Sequence, residues 1–224
     1  MSKRNVVKNL WSRYNHLLIL LYYGVIGLLY HTFNKYIVPK YYVHSFLDDY
    51  IPFIKVFVIP YLFWYLYIAI AVTYFGLTSR EDFIKLMLFM FGGMTICFFI
   101  YFILPNGQKL RPVITEQDFL SRLIKGIYSI DRPTNVSPSM HVLDAIAVHL
   151  AVIKSKKLQN RKWIHYISLV CAILISLSTV FIKQHSVEDV IYAMLLSYAL
   201  YRVIYKPQRN RKPYFEKESV YTSG

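Results

Sequence analysis

Lys183, His185 and Asp189 stand within seven residues of one another, in the run Ser178-Thr-Val-Phe-Ile-Lys-Gln-His-Ser-Val-Glu-Asp-Val190. His185 and Asp189 are four residues apart, so on a helix or its first turn they share one face. A carboxylate placed there holds one imidazole nitrogen and leaves the other free as a nucleophile or base. Lys183, just ahead, adds a cation able to receive an anion. The plainer alternative is a structural His–Asp pair that closes a short loop.

Two more clusters carry reactive side chains. In Asn106-Gly-Gln-Lys-Leu-Arg-Pro112, Lys109 and Arg111 flank a turn. A guanidinium fork beside an ammonium suits a phosphate, although an ordinary basic loop has the same composition. In Asn135-Val-Ser-Pro-Ser-Met-His141, Ser137 fits as a helix N-cap and Pro138 as the first helical residue. The first-turn amides would then face outward toward an anion, with Ser139 adding a hydroxyl and His141 one turn in, placed to pass a proton. The alternative for His141 is a helix-end histidine bonded to a carbonyl. Asp144 and His149 lie deeper; Asp144 either holds His141 one turn away or makes a bundle-facing hydrogen bond.

What must position these groups is an all-α bundle in a membrane. Hydrophobic residues make up 56% of the 224, a share few soluble domains reach, and they gather in runs near 20 long. The spacing predicts six transmembrane helices, over 16–33, 56–76 (kinked at Pro60), 83–104, 138–153, 163–182 and 190–205. The fourth and sixth, 16 residues each, span only ~24 Å, so they either extend by a turn or lie beside a polar cavity. A helix over 115–130, capped by Thr115, carries the stripe Phe119, Leu120, Leu123, Ile124, Ile127 and Tyr128. It either packs on the bundle or lies at the membrane interface where a lipid could enter.

Residues 1–15 read as a basic N-terminus, 16–205 as the membrane domain, and 206–224 as a basic, disordered tail. The first apolar run ends in Tyr30-His-Thr-Phe33 without a small-residue cleavage site, so it is expected to stay as an anchor. Six spans put the termini and the loops at 77–82 and 154–162 on one side, with seventeen of the 26 Lys and Arg; the other side has nine. The crowded side is expected to be cytoplasmic. The net charge of +14 is thereby a matter of topology and anionic lipid, with no nucleic-acid partner expected. Cys97 and Cys171 fall inside apolar runs without ligand spacing, so no metal site or disulfide is expected.

Together the three clusters resemble, in order and partly in spacing, the tripartite signature of the type 2 phosphatidic acid phosphatase superfamily, over roughly residues 50–205. The resemblance is nearest to the branch of inositol phosphorylceramide synthases and aureobasidin-resistance proteins. Its Pro-Ser-x-His element is Pro138-Ser139-Met140-His141, with Met140 where Gly is commonest; its last motif is Ser178, His185 and Asp189; its first ends in Arg111-Pro112. The usual Lys seven before that Arg is here Leu104, and the usual Arg after the Ser is Thr179.

The resemblance implies a six-helix bundle that needs no metal or other cofactor. His185, oriented by Asp189, would attack phosphorus and form a phosphohistidine, and His141 would protonate the leaving alkoxide. Lys109, Arg111, Ser139, Met140 and Lys183 would line the phosphate site. The expected activity is hydrolysis of a lipid phosphate drawn from the outer leaflet of the cell membrane, on its extracytoplasmic face. Transfer to an alcohol acceptor shares the same residues. A transporter or lipid-binding protein would instead string ionisable groups through the bundle.

Overall fold

The structure, a computed structural model, describes residues 11–205; the tail expected over 206–224 and most of the basic N-terminus lie outside the described residues. It is all-helical, with one two-residue parallel strand pair. Helix α1 is Trp11–Tyr36, tightened to 3-10 geometry over Asn15–Leu21. Then come α2 (Val58–Thr78), α3 (Arg80–Ile103), α4 (Phe119–Ile130), α5 (Met140–Lys154), α6 (Lys162–Phe181) and α7 (Val187–Ile204). Strand β1 (Tyr41–Tyr42) pairs with β2 (Asn106–Gly107).

Among the described residues, four helices are long and apolar enough to cross a membrane: α1, α2 with its preceding 3-10 turn, α3 and α6. Helix α5, at 15 residues, is about 22 Å long. It packs against α2, α3, α6 and α7, so protein rather than lipid surrounds it. Its buried positions include Ala145, Ala147 and Ala151, small enough for close approach on more than one side. Gly93 of α3 serves the same end, because a Cβ there would come within 2.7 Å of the Leu143 methyls.

Several boundaries differ from expectation for identifiable reasons. Helix α2 begins at Val58, after a 3-10 turn over Lys55–Phe57, so Pro60 sits in its first turn and not at a mid-helix kink. First-turn amides have no intrahelical acceptor, so a missing N–H costs nothing there. Helix α4 starts four residues later than expected: Asp118, not Thr115, is the cap, and accepts from Leu120 and Ser121 amides at 3.1 and 3.2 Å. The α4 stripe packs on the bundle, with Ile124 fully buried against Val58, Tyr61 and Ile182, though Phe119 stays exposed.

The loops gather at two ends. At one, Lys157 Nζ donates to Thr78 O and Ser155 Oγ to Asp82 Oδ2. At the other, β1 meets β2, Tyr30 OH donates to Asp131 Oδ1 at 2.8 Å, and Ser186 Oγ donates to Asp48 Oδ2 at 2.6 Å. The three reactive clusters therefore share one end of the bundle.

Candidate active site

Helix α7 is capped by Ser186, whose amide donates to Asp189 Oδ2 at 2.9 Å in a capping box. His185 stands just before that cap, and its Nδ1 meets the same Oδ2 at 3.2 Å. One carboxylate oxygen thus finishes the helix and orients the imidazole. With Nδ1–H donating to it, a neutral His185 keeps its lone pair on Nε2. That Nε2 lies 3.4 Å from His141 Nδ1. Tyr61 and Trp64 of α2 flank the His141 ring, with centroids at 4.7 and 4.6 Å.

His141 is delivered by the start of α5, which the structure places later than expected. Ser139, not Ser137, is the cap, and the helix begins at Met140. Ser137 and Pro138 are occupied elsewhere. Asn106 Oδ1 accepts from the Val136 and Ser137 amides, Asn106 Nδ2 donates to Ser137 O, and Tyr101 OH donates to Pro138 O. Asn106 is thereby the bolt between the first and second clusters. Ser139 is fully buried; its hydroxyl accepts from Val142 N, and its amide donates to Asp189 O at 3.2 Å, which ties α5 to α7.

A cavity of about 590 Å³ opens along these groups. Arg111, Gln184, His185, His141 and Met140 border one end, and Tyr23, Met94, Phe98 and Asp144 border it deeper in the bundle. The Arg111 guanidinium stacks on Tyr128 at 4.3 Å and donates to Tyr128 O, Asp131 O and Gln184 Oε1, while its Nε has no acceptor among the described residues. Desolvation lowers the Arg111 pKa, opposed by the nearby Asp131 charge. Burial raises the Asp131 carboxyl above the usual carboxylate range, against the pull of Tyr30, His185 and Arg111.

The two lysines expected at the phosphate site are placed elsewhere. Lys109 is exposed, with its ammonium 4.0 Å over the Tyr42 ring. Lys183 is buried and donates to Asp48 O at 2.9 Å and Ile51 O at 2.6 Å. It follows the end of α6 with its backbone in the left-handed region, φ 56°, and its side chain reaches the 45–51 loop. The cations bordering the cavity are Arg111 and Arg132. His149 Nδ1 bonds Ser168 Oγ at 3.2 Å, a bundle-facing contact, and Asp144 does not hold His141: neither of its carboxyl oxygens has a partner among the described residues.

Sequence reasoning passes over Gln184, Asp131, Arg132, Tyr61 and Trp64. Only Tyr61 and Trp64 leave a local signal, since their three-residue spacing puts two aromatic rings on one helix face. Gln108 is likewise hidden: fully buried, it donates to Lys183 O at 2.9 Å and so holds the first cluster against the third.

The arrangement offers an oriented imidazole, a second imidazole in contact with it, a guanidinium nearby and an apolar cavity leading away. No curated protein and no solved structure matches the chain. A family model, that of the PAP2 superfamily, matches residues 94–213, which hold all three clusters and more than half of the chain. By that match, together with the meeting of its motif residues at one cavity, the chain belongs to the PAP2 superfamily.

Proposed function

We propose that this protein is a membrane lipid phosphate phosphatase working through a phosphohistidine on His185. The contact that carries the reading is the chain Asp189–His185–His141, at 3.2 and 3.4 Å, beside Arg111 at the mouth of a largely apolar cavity. His185 Nε2 attacks phosphorus as the P–O bond to the leaving alcohol breaks, and His141 gives that oxygen its proton. Water, deprotonated by His141, then attacks the phosphohistidine, releases phosphate and restores His185. Arg111 and its free Nε–H offset the charge of the phosphoryl oxygens.

In-line attack puts nucleophile and leaving oxygen on opposite sides of phosphorus. A nucleophile about 3–3.5 Å from phosphorus and an acid about 3 Å from the leaving oxygen need their nitrogens well over 3.4 Å apart. Substrate binding therefore parts the two rings and replaces their mutual contact with contacts to phosphate.

Transfer of the phosphoryl group to an alcohol uses the same residues. The resemblance of the Val-Glu-Asp-Val run after His185 to the inositol phosphorylceramide synthases keeps it as the second reading. The test is purified protein in detergent with a phosphorus-labelled lipid phosphate, with and without alcohol acceptors. Wild type is expected to release inorganic phosphate and trap acid-labile label, and His185→Ala to lose both while still inserting. A new phosphomonoester of the acceptor alcohol in place of free phosphate selects transferase; undiminished turnover by His185→Ala discards the assigned nucleophile.

A further inference from the structure

Asp144 is fully buried, and neither carboxyl oxygen meets a donor among the described residues. Buried polar groups are rarely left that way, and the exceptions call for an explanation. Asp144 is among the residues that line the same cavity as His141, His185 and Arg111. It follows His141 by three residues in α5, hence on the same helix face and about 4.5 Å further along the axis. Met94 and Phe98 of the same cavity have nothing to donate, Tyr101 gives its hydroxyl to Pro138 O, and Cys97, within electrostatic reach, gives the carboxyl no hydrogen bond. Tyr23 borders the cavity too, yet the carboxyl remains unpartnered.

We propose that Asp144 is a specificity-determining residue that accepts a hydrogen bond from a hydroxyl or amino group on the carbon next to the phosphoester carbon of the lipid. The inference rests on the reading of the site as a lipid phosphate phosphatase or transferase. The geometry follows from the roles. His141 stands at the leaving oxygen, so the bonds after that oxygen run along α5 into the cavity and pass Asp144. A plain alkyl chain leaves the carboxyl unsatisfied, whereas a donor at that carbon satisfies it. The preferred substrates are thus long-chain 2-hydroxy- or 2-aminoalkyl phosphates.

Three lipids of one chain length separate the outcomes: octadecyl phosphate, 2-hydroxyoctadecyl phosphate and 2-aminooctadecyl phosphate. In wild type, at least one donor-bearing lipid is expected to exceed octadecyl phosphate about tenfold in kcat/KM, one hydrogen bond's worth of discrimination. Asp144→Leu should bring that ratio to about one. Asp144→Asn, which keeps a carbonyl acceptor but no charge, should retain the hydroxyl preference and lose the amino preference. Each ratio is taken within one preparation, so the amount of folded protein cancels. Parity among the three lipids in wild type, as when water satisfies Asp144, overturns the proposal; so does an unchanged ratio in Asp144→Leu. The same ratios are read from the dissociation constants of the phosphonate analogues. Discrimination in binding without turnover would sink the enzymatic reading and leave the role of Asp144 standing.

Discussion

Among the residues, Arg111 and Lys183 carry the same charge and should fail differently. Arg111 borders the cavity and its guanidinium is locked by Tyr128, Asp131 and Gln184. Lysine there would keep the charge and lose the planar fork. Arg111→Lys is expected to lower kcat/KM by about 10²–10³, the effect of one preorganised donor, with most of the loss in kcat. Lys183 donates to two carbonyls of the 45–51 loop. Lys183→Met should act first on thermal stability in detergent, costing about 2–3 kcal/mol for a charged donor and the carbonyls left behind. Kinetics and melting of both variants decide the matter: a Lys183→Met protein with unchanged melting and a raised KM would return that lysine to the phosphate. The pairing of His185 with Asp189 is legible in the sequence because it is local, four residues along one chain. The direction of Lys183 is not, because its partners lie in a loop more than 130 residues away.

Between elements, long connections meet where the sequence shows only turns. Asp48 accepts from Ser45 N, Ser186 Oγ and Val187 N, and so pins the loop after α1 to the start of α7 beside His185. Strand β2 fits between β1 and the Pro133 backbone, and Gly107 lets it: a Cβ would stand 2.7 Å from Pro133 O and from the Pro39 ring. Neither neighbour is the far end of a flexible side chain, so one of them must move. Gly107→Ala is expected to shift the 106–111 segment, destabilise the fold by about 1–3 kcal/mol as overpacking does, and lower turnover through Arg111. Restored melting in a second-site Pro39→Ala background would show that the Pro39 ring is the contact that destabilises, and unrestored melting that Pro133 O is; unchanged melting in Gly107→Ala would mean that the close fit is wrong. The helices themselves were largely legible, since runs of apolar residues carry their own signal. Their starts were not: Asp118 and Ser139 are the caps in place of the expected Thr115 and Ser137, the backbone of Ser137 being held by Asn106, and Ser186 caps α7, which starts three residues before the expected 190.

For the whole molecule, the question is which end of the bundle faces out. The end without the reactive clusters holds the cluster Lys154-Ser-Lys-Lys-Leu-Gln-Asn-Arg-Lys162, and the described loops join there as alternating spans require. Helices α5 and α7 fall short of the four long apolar helices, but α5 is enclosed by its neighbours and need not match the full hydrocarbon thickness. If both complete a passage, six spans follow, and the positive-inside rule puts the cavity mouth outside the cytoplasm. Two exposed residues test this without altering charge: Gln117, before α4 at the site end, and Asn160, between α5 and α6 at the other. In a background with Cys97 and Cys171 replaced by serine, Gln117→Cys should react with a membrane-impermeant maleimide on intact cells. Asn160→Cys should react only after permeabilisation. The reverse pattern would place the site on the cytoplasmic face and make its lipid phosphate an inner-leaflet one. Labelling of both from the same side would break the span count, because with α4 lying at the surface a single passage, that of α5, separates these two positions.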